Sequence, residues 1–263
     1  GKPGARNAVR CVSIEHKMGI HASPTCVLAY GDNGGATGYL VGTEHEGLRY
    51  MFIMMNHARL GVGLEGVALA ERAYQQAAAY ARQRVQGREL GVASGDRVTI
   101  IHHPDVRRML MLMKAQTEAM RALAYTAAAA LDLANHHPDP AQRAQHQALL
   151  DLLTPVVKGW CTEQAVEIAS LGVQIHGGMG FIEETGAAQF YRDARITTIY
   201  EGTTGIQAMD LVSRKVASER GVTMRAVLAD ASAVAAELAA AGNEDLAAIG
   251  ARLQAGSAAL ASA

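Results

Sequence analysis

The sequence predicts a mainly α-helical protein, an up-and-down helical bundle preceded by part of a β domain. Three observations carry this expectation. From Gly47 onward, apolar residues recur at three- and four-residue spacing through stretches of about 30 residues, the pattern of amphipathic helices. The stretches are joined by short segments punctuated with Pro and Gly, which favours antiparallel neighbours. Before Gly47 the pattern changes to short β-branched or aromatic runs separated by glycine-rich turns.

Residues 1–45 read as strands at Val9–Ile14, Thr25–Tyr30 and Ala36–Val41, with Gly31-Asp32-Asn33-Gly34-Gly35 supplying hairpin-turn chemistry. Three strands need a second sheet or a helix to cover them, so this region reads as the C-terminal part of a larger β domain. Residues 46–222 read as the bundle. Its first helix carries Leu48, Met51, Phe52, Met55, Val62 and Val67 and runs to about Val85. Gly87–Thr99 is polar and reads as a loop, and Pro104 suits the first position of a second helix. Prolines within Asn135–Pro140 end that helix. A third helix runs to Gly177-Gly178, with a kink expected at Pro155. A shorter helix spans about Thr185–Arg195, and another starts near Thr203. At 1.5 Å rise per residue the three long helices would each extend roughly 45 Å. Residues 223–263 are dominated by alanine, lack aromatic residues, and read as a helical extension of one or two helices.

Composition narrows the functional classes. With 49% hydrophobic and 19% charged residues the chain can build a core, so wholesale disorder is not expected. A net charge of −1 gives no electrostatic case for nucleic acid or an anionic membrane. No apolar run reaches membrane-spanning length, and Gly1-Lys2-Pro3-Gly4 is not a signal peptide. Three widely spaced cysteines argue for reduced thiols in a cytoplasmic setting. The 11 Met beside only three Phe and one Trp are accounted for by methionine packing between helices.

The stretch richest in chemistry is Gln189–Asp210. It sets Glu201 between an apolar Ile199-Tyr200 pair and the small-residue turn Gly202-Thr203-Thr204-Gly205, which opens into a helical pattern. An acid here reads as a first-turn capping residue, favoured by the helix dipole. It also reads as a general base, because apolar neighbours make a carboxylate a better proton acceptor. In His176-Gly177-Gly178-Met179-Gly180-Phe181 the glycines follow a helix rather than a strand, so a dinucleotide fingerprint fails its context. They form either a helix C-cap or bare backbone for a phosphate or adenosine to approach. Arg82 and Arg84 near the end of the first helix read as solvated charges that stabilise its dipole. Arg59 sits in a mostly apolar helix, and either finds a buried partner or snorkels to solvent. Thr203 suits a helix N-cap. The paired histidines His102-His103 and His136-His137 flank prolines and read as loop residues. HExxH, CxxC and GxSxG are absent, so no zinc site or serine hydrolase is expected.

Tyr200-Glu201-Gly202-Thr203, preceded by Tyr191-Arg192-Asp193-Ala194, resembles the catalytic-base segment of the acyl-CoA dehydrogenases. Upstream, Gln174-Ile175-His176-Gly177-Gly178-Met179-Gly180-Phe181 resembles that family's flavin-binding turn, in the family's order and spacing. The likeness runs from about Arg6 to about Val216, and is greatest to the branch containing 3-methylmercaptopropionyl-CoA dehydrogenase.

The resemblance implies that the chain is a C-terminal portion, and that the activity is FAD-dependent α,β-dehydrogenation of an acyl-CoA to its trans-2-enoyl product. It makes Glu201 the base for the pro-R α-proton, with the β-hydrogen leaving as hydride to flavin N5. The thioester carbonyl would be held by the base residue's own N–H and a ribityl hydroxyl. It places Tyr200, Gly202 and Arg59 on the substrate side. Arg84, Gln174, Gly177, Gly178 and Thr203 fall on the FAD side, the adenosine-pyrophosphate end coming mainly from a neighbouring subunit. An electron-transferring flavoprotein as electron acceptor and a homodimer or homotetramer complete the implied picture. The sequence departs from the family pattern where Gln86 leads straight to Gly87 instead of Phe-Gly, and where Gly205 replaces a common Gln. Two alternatives stay open: an acyl-CoA oxidase, and a non-catalytic helical scaffold.

Overall fold

The computed structural model describes residues 4–32 and 34–262. Residues 1–3, Ala263, and Asn33 of the expected hairpin turn lie outside the described residues. In chain order the elements are β1 (Val9–Ile14), β2 (Cys26–Tyr30), α1 (Gly47–Gln83), α2 (Pro104–His136), α3 (Pro140–His176), α4 (Ala187–Thr197), α5 (Thr204–Met209), α6 (Val222–Ala240) and α7 (Glu244–Ala261). The mainly α fold with a small β portion is the one expected. Among the described residues no helix is long and apolar enough to cross a membrane.

β1 and β2 pair antiparallel, Val9 opposite Tyr30 and Ile14 opposite Cys26, with a register shift between Cys11 and Ser13. The expected third strand is not one: Ala36–Val41 is irregular and exposed, Tyr39 to 89%. β-Branched and aromatic residues suit a pleated surface, but a strand forms only against a partner that takes up its backbone groups. No strand pairs with this segment among the described residues; the Asn7 side chain takes up the Thr37 N–H at 2.9 Å and the Thr37 carbonyl at 2.7 Å.

Local chemistry sets the helix ends. Pro104 opens α2 with Asp105 in its first turn and His136 in its last, both favourable to the dipole. Pro140 opens α3 behind Asp139, whose carboxylate accepts the Ala141 N–H at 2.9 Å. Pro155 lies inside α3, which is helical on both sides of it.

The chain divides into two compact units. The first comprises Gly1–Ala124 and Val157–Thr204, the second Tyr125–Val156 and Gly205–Ala263. In the first unit α1 buries a spine of small residues, Ala70, Ala73, Ala77 and Ala81. Met113 and Met120 of α2 and Ile168 of α3 are completely buried in the same unit, the flexible methionines filling irregular space. The expected apolar face of α1 is buried only from Arg59 onward. Leu48, Phe52, Ile53 and Met54 are exposed, a patch of the kind that marks a contact surface. In the second unit α6 and α7 form a helical hairpin, with Asn243 capping α7 by accepting the Leu246 N–H at 3.1 Å. The alanine-rich extension is therefore two helices.

The loop after β1 packs Gly19 against the Arg192 backbone of α4 and is tied to that helix by a hydrogen bond: the Ile20 N–H donates to Asp193 Oδ1 at 2.6 Å, with Ile20 itself at φ 48. A hydrogen bond to a charged group contributes about 1.5–3 kcal/mol. Asp193→Ala is expected to release this loop and speed tryptic cleavage after Lys17 about tenfold, measured by the rate at which intact chain disappears.

Candidate active site

α4 delivers the turn that carries Glu201. After Thr197 the helix relaxes, with the Ile199 and Tyr200 N–H groups both returning to the Ile196 carbonyl at 2.9 and 3.1 Å. The Thr204 N–H then closes the loop onto the Thr198 carbonyl at 3.2 Å. Between these ends Glu201 has φ 55 and Gly202 φ 95. Glycine takes this left-handed backbone freely, whereas a glutamate there costs roughly 1–2 kcal/mol. The surroundings hold it.

Four side chains from two helices hold the turn. Arg59 of α1, only 5% exposed, donates from Nε to the Glu201 carbonyl at 3.1 Å. Arg59 therefore turns inward onto the loop instead of snorkelling. Lys158 of α3, 0% exposed, donates from Nζ to the Gly202 carbonyl at 2.6 Å. The Tyr200 hydroxyl donates to Glu65 Oε2 of α1, and the Thr204 hydroxyl donates to Glu163 Oε1 of α3 at 2.5 Å. Glu201 itself is half-buried.

Burial lowers the Lys158 ammonium to about 8, and the neighbouring Arg59 cation adds to that; Glu163 and Glu201 pull the other way. Burial and the Glu65 carboxylate push the Tyr200 phenol upward, so it stays a donor. Lys158, Glu65 and Glu163 escape a reading of the sequence. Only Lys158 had a signal, one cation in the apolar run Val156-Val157-Lys158-Gly159-Trp160.

Tyr200 also lines a cavity of about 560 Å³ with Met18, Ile20, Ile196 and Ile199, to which Lys17 and Arg195 add positive charge. An apolar floor with cations beside it is suited to a ligand that is part hydrocarbon and part anion.

The second cluster lies where α1 and α3 end. His176 stacks on Tyr80 with centroids 4.4 Å apart, and its Nδ1 donates to the Gly172 carbonyl at 2.7 Å. Gly177 follows at φ 60, the left-handed residue that commonly ends a helix. Arg84 leaves α1 in extended conformation. A short ladder fixes it: Ile100 N–H to the Arg84 carbonyl at 2.8 Å and Gln86 N–H to the Val98 carbonyl at 3.0 Å.

Arg84, Gly177 and Gly178 thereby line one open groove of about 660 Å³ with His103 and His176, and no acidic side chain is among its described lining residues. Open space lies where a Cβ on Gly177 or Gly178 would stand, so the groove meets bare backbone there. These residues fit an anionic group such as a pyrophosphate. Gln174 is exposed one turn earlier on α3 and does not line the groove, and Thr203 is exposed on the Glu201 turn.

A long-helix unit of this kind, with a carboxylate-bearing turn and a glycine-bounded groove, defines a class. A family model described as the acyl-CoA dehydrogenase C-terminal domain matches residues 45–217, and the chain belongs to this family. It is 62% identical over 225 residues to 3-methylmercaptopropionyl-CoA dehydrogenase of Ruegeria pomeroyi, covering 86% of this chain and 38% of the relative. To the broad-specificity linear acyl-CoA dehydrogenase FadE5 of Mycobacterium tuberculosis it is 43% identical over 232 residues, covering 85% of this chain and 38% of that one. Among solved structures it resembles Caenorhabditis elegans ACDH-11 in complex with C11-CoA, with TM-score 0.74 and 25% identity, over 86% of this chain and 36% of that one. Butyryl-CoA dehydrogenase from Megasphaera elsdenii gives TM-score 0.59 and 29% identity, over 78% of this chain and 48% of that one. The chain thus spans little more than a third of the length of these curated relatives.

Proposed function

We propose that the whole protein oxidises an acyl-CoA thioester to the trans-2-enoyl-CoA, with Glu201 removing the α-proton. The observation that carries this reading is the turn itself: a half-buried glutamate held in a left-handed backbone by buried Arg59 and Lys158, in a chain of this family. Strained backbone kept in place by its surroundings is characteristic of functional sites. Glu201 takes up the α-proton, and Gly202, without a side chain, leaves room for the thioester to lie against the turn. Tyr200, with its hydroxyl engaged by Glu65, presents its ring to the acyl chain in the cavity beside it.

FAD, when bound, supplies the acceptor for the β-hydride. Arg84 and the backbone at Gly177 and Gly178 would hold its pyrophosphate end, whereas Gln174, outside that groove, and Thr203, on the Glu201 turn, would meet other parts of the cofactor. In the proposed assembly of two or four copies, that groove serves the FAD of a neighbouring subunit. Arg84→Ala is expected to weaken FAD retention about tenfold or more, the scale of a lost charge-assisted hydrogen bond, read as flavin absorbance surviving gel filtration. The exposed apolar patch at Leu48–Met54 supports packing against the rest of the whole protein. Expressed alone, the present chain is therefore expected to bind FAD poorly. The proposed electron acceptor is an electron-transferring flavoprotein.

The name of the 62% identical relative makes 3-methylmercaptopropionyl-CoA the first substrate to try. The test is a panel of C4 to C16 acyl-CoAs plus 3-methylmercaptopropionyl-CoA on the whole protein, with enoyl-CoA as the measured product. No enoyl-CoA from any member overturns the reading, and peroxide formed without an added acceptor would assign an oxidase instead.

A further inference from the structure

Lys158 is an unusual residue to find completely buried, since removing an ammonium from water is strongly unfavourable without strong compensation. The carboxylates of Glu163 and Glu201 compensate it in part, and its hydrogen bond goes to the turn. Nζ donates to the Gly202 carbonyl at 2.6 Å, and Arg59 donates to the preceding carbonyl, that of Glu201, at 3.1 Å. Two cations from two different helices thus take two successive carbonyls of a turn whose backbone is left-handed at both residues. Because each peptide unit is planar, fixing both carbonyls fixes the orientation of the peptide planes on the C-terminal side of Glu201 and Gly202.

We propose that Lys158 is a positioning residue for the base: by holding the Gly202 carbonyl it fixes, together with Arg59, the left-handed turn from which the Glu201 carboxylate is presented. This rests on the reading of Glu201 as the base. Lys158 does not touch the reacting atoms in this scheme and acts through the turn. The charged groups near it are Arg59 from α1, Glu163 from its own helix and Glu201 from the turn. Its ammonium is the working form, giving three donors and a full charge, so its contribution is present below about pH 8 and lost above.

The test uses the whole flavoprotein, with Lys158→Met, Lys158→Arg and Glu201→Gln measured side by side for kcat, KM, flavin absorbance and the pH profile of kcat. Lys158→Met is expected to lower kcat about 30-fold or more with KM changed less than threefold and flavin absorbance kept. The wild-type profile is expected to fall through about pH 8. In Lys158→Arg that alkaline fall moves above pH 10, because a guanidinium stays protonated. A merely structural lysine would not move this limb, so the Arg variant decides the matter even if the Met variant fails to fold. A Lys158→Met enzyme within threefold of wild-type kcat, or a limb unchanged in Lys158→Arg, overturns the proposal alone. Retained turnover in Glu201→Gln overturns the base assignment and this proposal with it.

Discussion

Glu201→Gln in the whole protein is expected to lower the rate of acyl-CoA-dependent flavin reduction by about 10³-fold or more, leaving the oxidised flavin spectrum and thermal midpoint intact. A positioned general base contributes typically 10²–10⁴-fold, and the upper half of that range applies where the C–H acid is weak and the neighbouring carboxylates, Glu65 and Glu163, are engaged by Tyr200 and Thr204. The amide keeps the size of the acid and one of its two acceptor oxygens, so the turn should survive. Its main anchors, Arg59 and Lys158, grip backbone carbonyls that the substitution does not alter. A loss of flavin along with activity would instead mark Glu201 as a structural residue of the cofactor site.

The second large effect is one of packing. Gly66→Leu is expected to destabilise the chain by about 3 kcal/mol or more, lowering the thermal midpoint by roughly 10 °C. A Cβ at Gly66 would stand 2.9 Å from the Cys161 carbonyl oxygen and 3.1 Å from its carbon, backbone atoms of α3 that cannot rotate away. One turn earlier a Cβ at Gly63 would meet Val157 Cγ1 at 2.4 Å. These two glycines let α1 and α3 approach where Arg59 and Lys158 leave them for the Glu201 turn, so forcing the helices apart also withdraws both anchors. Activity should therefore fall even at temperatures where the variant stays folded. Gly61→Ala is the control. Beyond the helix's own backbone, open space lies where that Cβ would stand, and alanine in a helix interior should stabilise by about 0.5–1 kcal/mol. Circular dichroism melts of the three proteins check the ordering.

Those two glycines also illustrate what a sequence leaves unsaid. In α1 they sit among Leu60, Val62 and Val67 as ordinary interruptions of a helical pattern, and only the position of Val157 and Cys161 gives them meaning. The long helices were legible because apolar period, Pro104 at a helix start, the prolines of Asn135–Pro140 at a helix end and Gly177 past another all agree. Ala36–Val41 misled for the opposite reason. Strand propensity describes a segment, whereas a strand is a relation between two, and no partner strand lies among the described residues.

At the site, Glu201 and the glycine turn could be picked out by their neighbours in sequence. The positive φ of Glu201 could not, since Gly202 announces a turn without saying that the preceding residue is also left-handed. Arg59 and Lys158 present the same signal, a cation within an apolar helix, and a buried cation needs a partner at either position. Glu65 gives no signal: its partner, Tyr200, lies 135 residues away, and a glutamate on a long helix normally reads as solvated surface.

The most direct test of Glu201 as the base is exchange of the acyl-CoA α-proton with solvent. The whole protein and its Glu201→Gln variant, held without electron acceptor in D₂O, would be followed by NMR of the thioester α-carbon protons. Wild type is expected to wash deuterium into the α-position and the variant to leave it protonated over the same period. Exchange in Glu201→Gln at the wild-type rate would contradict the account, because another group would then be removing the proton.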